Sequence, residues 1–449
     1  MAIRVVCEST ELAVECLQIA QSVEVEVAPM VAGDDWLAAA TTHPAEQMIA
    51  VALQAPPELS ALVTLSETAA SQRQRALVSI AAPDPYAQLV RGAGSDLGVC
   101  MACEVEVLVA ILALWSGGAY HAWQASIRGL PSVDRVRLKP SLAGTSRMAG
   151  QFVRCDATHI AWREQPESPP QPLGRPRDVA DALLAMRACE GAGARVQTSV
   201  DVDRQQVLDV LFGPPRALSD PASKAALAPY GLPMPEEELC ASASRAAAEA
   251  ARLGFPVRIA LASPDLRIWD HPELALDMLG SAAAVRDAYR QLTAMAQTAG
   301  RAAGEEEPRL LGVTVTAENR SHALLGVRCR ALGAVRVAAE IWLADEGGQA
   351  SHDRVLTILP VPEDQFERIV RRFAGSDHLL GGEPALRAER LGNIADLLLR
   401  TTAFALDFRD HVRSIELRPV AVLLDGQVEV REACVTVSDA FARSLTNAS

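Results

Sequence analysis

The stretch from Leu218 to Pro235, LSDPASKAALAPYGLPMP, carries the local signals that decide the fold of the second half of the chain. Asp220 and Pro221 are a good N-cap and first-turn pair, because an Asp side chain accepts hydrogen bonds from free helical N–H groups and proline suits the first turn. The pattern predicts a helix that runs to Pro229 and is stopped by Gly231. The region from about residue 206 onward has the sharpest pattern in the sequence.

Helices and strands follow this stretch in mixed order. Helices are predicted over 242–254, 281–299, 363–373 and 386–405, and strands over 255–262, 310–316, 324–329, 335–343 and 354–360. The segments 414–423 and 428–437 flank Asp425-Gly426, a pair that favours the positive φ of a tight hairpin turn. These features predict a sheet-rich α+β domain over 206–449.

The first 118 residues instead alternate strands with helices. Strands are predicted over 3–7, 23–27, 48–53, 76–81 and 97–101, and helices over 10–22, 85–92 and 104–115. Such alternation indicates a parallel sheet covered on both faces, so we expect a flavodoxin-like α/β domain over 1–118. Residues 119–205 form a connecting region, with a proline-rich linker over 166–176 and a helix over 178–189.

The composition limits the classes of partner. The 449 residues contain 42 Lys and Arg against 56 Asp and Glu, a formal net charge of −14, which argues against binding to nucleic acid or to anionic membranes. The longest apolar run, Val107 to Trp115, is far shorter than the ~18 residues of a spanning helix. Because the N-terminus shows no signal-peptide pattern and the nine cysteines are scattered, we expect a cytoplasmic protein.

The stretch quoted above resembles the opening of the ATP-grasp module of NDP-forming acyl-CoA synthetases. That family reads Leu-Ser-Glu, then a helical Lys, then Tyr-Gly-Ile-Pro-Val-Pro, and Lys224, Tyr230 and Gly231 fall at the matching positions. The resemblance covers roughly 206–449, and it continues through 246–254, 255–257, 263–265, 379–382 and 415–419. Residues 76–115 resemble the flavodoxin-like domain of the same synthetases. The Gly-rich CoA-binding domain of that family has no counterpart in this sequence.

The resemblance implies a definite chemistry. In the family, ATP activates a carboxylic acid to an acyl phosphate, a histidine relays the phosphoryl group, and the CoA thiol attacks the acyl phosphate. Phosphoryl transfer depends on positioning and electrostatics, so it needs cations and Mg²⁺ against the triphosphate. The resemblance therefore implies ATP or ADP with Mg²⁺ as cofactors, and CoA only through a partner chain.

The phosphate-binding positions depart from the family pattern. The strand Lys of the family is Ala260 here, with Arg258 as the nearest replacement, and the mobile glycine loop is replaced by IWDHPEL over 268–274. The adenosine-side Glu of the family is His322, and the Gly-Leu-Gly-Gly turn is 331–334, ALGA. The resemblance therefore implies three candidate residues of a nucleotide cleft: Lys224, Arg258 and His322.

The metal position departs as well. Glu416 keeps the Glu of the Glu-x-Asn-Pro motif, but the Asn position is Arg418. A guanidinium at that point competes with Mg²⁺ for the same carboxylate. Glu416 is therefore the candidate metal ligand, and no residue is predicted to be catalytic.

These departures together predict a degenerate ATP-grasp protein. It keeps the fold, has lost phosphoryl transfer, and acts as a subunit or regulator with at most weak nucleotide or acyl-CoA binding. Two alternatives stay open: an active ADP-forming acid–CoA ligase in which Arg258 replaces the missing Lys and a partner supplies the CoA domain and histidine, or a purely structural partner. The expected partners are a synthetase subunit or a second copy of the chain.

Overall fold

The structure is a computed structural model that describes most of the chain. The described residues are 3–22, 25–42, 48–116, 144–148, 151–155, 160–163, 171–172, 202–302, 308–345 and 350–440. The chain divides into two compact units, residues 1–194 and 195–449. The predicted boundaries at 118 and 205 stay predictions, since the connecting region is described only in part.

The first unit contains a five-stranded parallel sheet. Its strands are β1 (Ile3–Cys7), β2 (Val27–Val31), β3 (Met48–Leu53), β4 (Arg75–Ile80) and β5 (Cys100–Ala102), and its helices are α1 (Thr10–Ser22), α2 (Trp36–Thr42), α3 (Leu59–Ser71), α4 (Pro85–Asp96) and α5 (Val105–Ser116). The strand order β2-β1-β3-β4-β5 confirms the predicted flavodoxin-like arrangement. Five of the six β3 side chains are buried, as expected for a strand covered by helices on both faces.

Two predicted strands of this unit lie elsewhere. The strand expected over 23–27 begins at Val27, which pairs with Ile3, and it continues through Pro29. A proline is tolerated there because β2 is an edge strand. The strand expected over 97–101 is observed as β5, Cys100–Ala102. It begins later than predicted because α4 extends to Asp96 and Gly98 then takes a φ of +78°.

The same unit contains a small antiparallel sheet. Its strands are β6 (Gly144–Met148), β7 (Gln151–Cys155), β8 (Ile160–Arg163) and β9 (Gln171–Pro172), in that order. β9 interrupts the predicted proline-rich linker and lies at the sheet edge, where the missing N–H of Pro172 is tolerated. The remainder of that linker, and the helix predicted over 178–189, lie outside the described residues.

The second unit contains two antiparallel sheets. Its helices are α6 (Arg204–Leu211), α7 (Asp220–Leu227), α8 (Ala243–Leu253), α9 (Ala282–Ala302), α10 (Glu363–Val370), α11 (Ser376–Leu380) and α12 (Pro384–Asp407). Its strands are β10 (Arg216–Ala217), β11 (Glu237–Cys240), β12 (Val257–Ala262), β13 (Ala275–Leu279), β14 (Gly312–Ala317), β15 (Ser321–Leu332), β16 (Arg336–Ala344), β17 (Ala350–Leu359), β18 (Val412–Leu423), β19 (Val428–Val430) and β20 (Ala433–Val437). The small sheet has the order β11-β14-β12-β13, and the large sheet has the order β10-β20-β18-β15-β16-β17 with β19 paired to β18. The predicted α+β character is confirmed.

The helix predicted from the opening stretch is α7, followed by a short 3₁₀ turn. Gly231 ends it with a φ of +69°, as predicted. The N-cap position is Ser219 and not Asp220. Asp220 is instead the first helical residue, and its carboxylate accepts a hydrogen bond from the backbone N–H of Ala433 at 2.7 Å.

Each sheet of this unit has its own hydrophobic core, and the two cores share no residue. The small sheet packs under α8 and α9, and the large sheet packs its apolar face against α12, around Phe404 and Phe408. On β15 the core takes Val327 and Cys329, so Arg328 between them projects from the opposite face. Charged side chains lie between the two cores, among them Arg258 of β12 and Glu432, and we refer to this region as the polar seam.

Among the described residues, no helix combines the length and the apolar character that a membrane crossing requires.

We predict that Gly326→Ala destabilises this unit. A Cβ at Gly326 would overlap the indole ring of Trp342, the residue of β16 that lies directly opposite Gly326. Overpacking of this kind costs about 1–3 kcal/mol of unfolding free energy. Gly382→Ala is the matched control, because a Cβ there meets nothing within 4 Å. Chemical denaturation checks both, and equal stabilities of the two variants would contradict the packing described.

Candidate functional site

A small cleft opens at the polar seam of the second unit. Its lining residues are Pro235, Arg258, Thr316, Ala317, Glu318, Glu429 and Arg431. The empty volume, including the open mouth, is about 210 Å³. Sites for drug-sized ligands measure ~300–1,000 Å³, so this cleft is small for a nucleotide.

Arg258 crosses the seam from the small sheet. Its neighbours Val257 and Ile259 are buried in the small-sheet core, so the Arg258 side chain leaves the other face of β12. Its Nη2 lies 2.5 Å from Oε1 of Glu432, and its Nε lies 3.0 Å from Oδ1 of Asp277. The Arg258 and Glu432 side chains are only 12% and 3% exposed. Burial opposes the charge of Arg258, but Glu432 and Asp277 outweigh it and raise the pKa of the guanidinium.

Lys224 is also fully engaged inside the protein. Its Nζ lies 2.6 Å from Glu237 and 3.0 Å from Asp220, and it donates to the carbonyl oxygen of Arg431 at 2.7 Å. Its side chain is 6% exposed. Burial opposes the ammonium charge, but the two carboxylates outweigh it and raise the pKa of Lys224. All three ammonium hydrogens therefore have acceptors within the chain.

The cations around the cleft are outnumbered by carboxyl groups. Three cations each pair with two carboxyl groups: Lys224 with Asp220 and Glu237, Arg258 with Asp277 and Glu432, and Arg431 with Glu318 and Glu429. Burial raises the pKa of Glu237, Glu318 and Glu432. Each of the three cations therefore already has two carboxyl groups as partners within the chain.

His322 lies apart from these residues. Its Nε2 is 2.7 Å from the carbonyl oxygen of His378, and the two imidazole rings lie 5.6 Å apart. On β15, His322 is six residues from Arg328, which pairs with Glu416 across the ladder. At ~3.3 Å per residue, that places His322 about 20 Å along the strand from Glu416. The structure therefore does not bring these two candidate residues together.

Glu416 belongs to a ladder of alternating charges on the polar face of the large sheet. The ladder runs across four strands through Arg354, Glu340, Arg328, Glu416 and Arg418. The successive N···O distances are 3.1, 3.5, 3.3 and 3.5 Å. Each carboxylate in this ladder lies between two guanidinium groups.

Arg418 is held in place by aromatic rings. Its Cζ lies 4.7 Å from the ring centroid of Trp269 and 6.0 Å from that of Trp342. The side chain is 15% exposed, and burial lowers the pKa of its guanidinium. A cation over an indole face is stabilised electrostatically, more so when desolvated. Arg418 therefore lies against Glu416 and does not swing out to solvent.

The residues present do not fit a magnesium ion. Glu416 has Arg328 on one side and Arg418 on the other, and a cation so close to a carboxylate competes with a metal. Mg²⁺ also requires near-octahedral oxygen ligands. Within the described ranges, no group of three or more His, Cys, Asp or Glu side chains is arranged to hold a metal ion.

Sequence reasoning missed the partners of the two central arginines. Arg258 and Glu432 are 174 residues apart, so no local spacing connects them. Trp269 was noted only as part of a replaced loop, and its packing against Arg418 has no sequence signal. The roles of Lys224, Arg258, His322 and Glu416 as ligand-binding residues stay predictions.

Comparison with known proteins identifies one family. Residues 210–437 match the family profile described as ATP-grasp domain. No curated protein matches the chain.

Solved structures give matches to about half of the chain. PH1788 from Pyrococcus horikoshii is 19% identical, over 53% of this chain and 99% of that one, with a TM-score of 0.45. The dinucleotide-forming acetyl-coenzyme A synthetase 1 of Ca. Korarchaeum cryptofilum is 18% identical, over 50% and 94%, with a TM-score of 0.43. ATP citrate lyase from Methanothrix soehngenii is 11% identical, over 50% and 52%, with a TM-score of 0.30.

We predict that the Arg258–Glu432 pair is strongly coupled. Removing one partner of a buried pair leaves an uncompensated charge and costs about 3–5 kcal/mol, whereas replacing both is near neutral. Arg258→Met should therefore be much less stable than the double variant Arg258→Met/Glu432→Leu. Urea denaturation of the wild type, both single variants and the double variant measures the coupling.

The exposed pair Arg290–Asp287 is the matched control, at an N···O distance of 2.9 Å with both side chains largely exposed. Its coupling should stay below about 1 kcal/mol. A coupling at Arg258–Glu432 no larger than at this surface pair would contradict the buried interaction.

We also predict a pH dependence at Glu318. Burial and the nearby Asp277 raise the pKa of its carboxyl above the ordinary 4.5. The folded chain then binds this proton more tightly than the unfolded chain does, so the contribution of Glu318 to stability falls as pH rises above 4.5. Glu318→Gln should therefore gain stability relative to the wild type as pH rises from 4.5 to neutral.

Glu249→Gln provides a control of opposite sign. The Arg252 guanidinium lowers the pKa of the Glu249 carboxyl, so this group contributes stability above pH 4.5 that is lost as pH falls below it. Thermal unfolding at several pH values measures both differences. A Glu318→Gln difference that is flat or declines with rising pH would refute the assignment.

Proposed function

The chain belongs to the ATP-grasp family over residues 210–437, and from this membership we propose that it is a catalytically degenerate relative of the NDP-forming acyl-CoA synthetases. The proposal is that the ATP-grasp fold is kept while the transfer of a phosphoryl group has been lost. The chain then acts as a subunit or regulator, with at most weak binding of nucleotide or acyl-CoA.

The observation that carries the proposal is the position of Arg418. The family pattern has Asn at this position, beside the Glu that Glu416 retains. Here the Arg418 guanidinium lies 3.5 Å from Glu416 and packs against Trp269. The positive charge that a metal ion would bring to this carboxylate is already supplied by the chain.

The phosphate side supports the same proposal. Arg258, the nearest replacement for the missing strand Lys, is bound to Glu432 and Asp277. Lys224 is bound to Glu237 and Asp220. A triphosphate would have to break these buried ion pairs before either cation could reach it, and it would leave carboxylates without a partner.

The alternative of an active ligase requires Arg258 to grip a phosphate. Nothing in the contacts of Arg258 favours that role, because its guanidinium faces two carboxylates. We therefore propose only the degenerate function. The scattered cysteines support our further proposal of a cytoplasmic location. As partner we propose a synthetase subunit or a second copy of the chain.

Nucleotide binding and turnover test the proposal together. A site with a Kd of ~0.1 mM would stabilise the protein by about 2.7 kcal/mol at ~10 mM MgATP. For a domain of about 150–250 residues, each kcal/mol raises the Tm by ~2–4 °C. We expect a smaller shift than this, and no ADP release that depends on both CoA and a carboxylic acid across a panel of short-chain and aromatic acids.

An active ADP-forming acetyl-CoA synthetase serves as the positive control in both assays. CoA-dependent and acid-dependent ADP release by the purified chain would refute the proposal. Co-expression with a synthetase subunit that carries a CoA domain, followed by the same assay, tests whether a partner restores turnover. Restored turnover that depends on both CoA and a carboxylic acid would favour the ligase alternative instead.

A further inference from the structure

The loop between β12 and β13, residues 263–274, is packed onto the small sheet at both of its ends. We refer to it as the Trp269 loop. Leu266, Ile268 and Leu274 are buried in the small-sheet core. Asp265 is paired with Arg309 at 2.5 Å, and the Ser263 hydroxyl donates to the Arg309 carbonyl at 2.8 Å. The loop is thus fixed at its ends to the small sheet.

The tip of this loop contacts the large sheet. Backbone N–H groups of Asp270 and His271 donate to the carbonyl of Arg267, forming a tight turn around Trp269. This turn presents the indole face of Trp269 to Arg418 of β18, with Arg418 Cζ 4.7 Å from the ring centroid. The groups whose charges act on Arg418 are Glu416 and Arg328 from the large sheet and Asp270 and Arg267 from the loop.

The backbone connects this contact to the buried pair that joins the two sheets. The backbone N–H of Arg418 donates to the carbonyl oxygen of Glu432 at 3.1 Å, so Arg418 lies directly beside Glu432. The Glu432 carboxylate in turn binds Arg258 of β12 at 2.5 Å. Two neighbouring residues of the large sheet therefore contact the small sheet at Arg258 and the loop at Trp269.

From this geometry we infer that Arg418 is a latch that holds the Trp269 loop closed over the polar face of the large sheet. The buried pair Arg258–Glu432 joins the two sheets beside Arg418, and the Arg418 guanidinium holds the tip of the loop. Opening of the loop breaks the Arg418–Trp269 contact and returns the guanidinium to solvent. The latch is a contact within the chain that acts without any ligand.

A variant at a neighbouring arginine distinguishes release of the loop from a general effect of removing a positive charge. Arg328 belongs to the same ladder and also pairs with Glu416, at 3.3 Å. It contacts Glu416, Glu340 and Trp342, which all belong to the large sheet. Arg328→Asn therefore removes the same charge from the same carboxylate without releasing the loop.

Hydrogen exchange on the full chain, measured by mass spectrometry without nucleotide, tests the latch. Amide hydrogens exchange through local opening, so peptides that cover 263–274 report the loop. Arg418→Asn should raise their exchange rate about tenfold, equivalent to about 1.4 kcal/mol of opening free energy. Arg328→Asn should leave these peptides within about twofold of the wild type. Arg418→Lys should give an intermediate rate, because an ammonium keeps the charge but cannot stack flat on the indole.

Two outcomes would overturn the latch. One is an unchanged exchange rate in 263–274 for Arg418→Asn, and the other is an equal increase for Arg328→Asn. If Arg418→Asn raises exchange in α12 peptides as well, Arg418→Lys and Trp269→Leu decide: faster exchange confined to the loop supports the latch, and its absence overturns it. Because no nucleotide is present, this test can fail while the proposed loss of phosphoryl transfer stands, and the reverse also holds.

Discussion

Charges buried between two apolar bodies must be neutralised from within the chain, and this constraint shapes the second unit. Its two sheets have separate hydrophobic cores, and the seam between them is lined by carboxylates and arginines. Burial of an unpaired charge is far more costly than burial of a pair. Arg258 meets Glu432 across the seam, and Arg418 lies 3.5 Å from Glu416 on the large sheet, so these charges have partners within the chain.

The same pairing supplies internal partners for the charged side chains of the seam. A cleft that relies on Mg²⁺ and phosphate must leave carboxylates and cations apart until the ligands arrive. Here each candidate ligand residue of the seam has an internal partner, and Glu416 lies between two guanidinium groups. We interpret the loss of the metal-binding Asn and the gain of Arg418 as one change, because the arginine neutralises the glutamate that remains.

Local signals predicted much of the fold. The hairpin turn at Asp425-Gly426 and the helix stop at Gly231 depend on backbone conformations that particular residues favour, and both appear as predicted. The prediction of a strand over 23–27 was wrong, because it followed the alternation of polar and apolar residues. The strand instead runs from Val27 to Val31 and includes Pro29, which an edge strand tolerates. The candidate site was predictable only in part. The sequence identified Arg258 and Glu416 through a resemblance, but their partners lie on distant segments that only the folded sheets bring together.

The central claim is that Glu416 cannot hold a metal ion while Arg418 is beside it. Manganese(II) substitutes for magnesium and is detected directly by electron paramagnetic resonance, so a titration of Mn²⁺ with ATP in the presence of the chain measures the claim itself. We expect the electron paramagnetic resonance spectrum and its amplitude to match those of Mn²⁺ and ATP without protein. A protein-bound manganese signal in the wild-type chain, lost on Glu416→Gln, would contradict it.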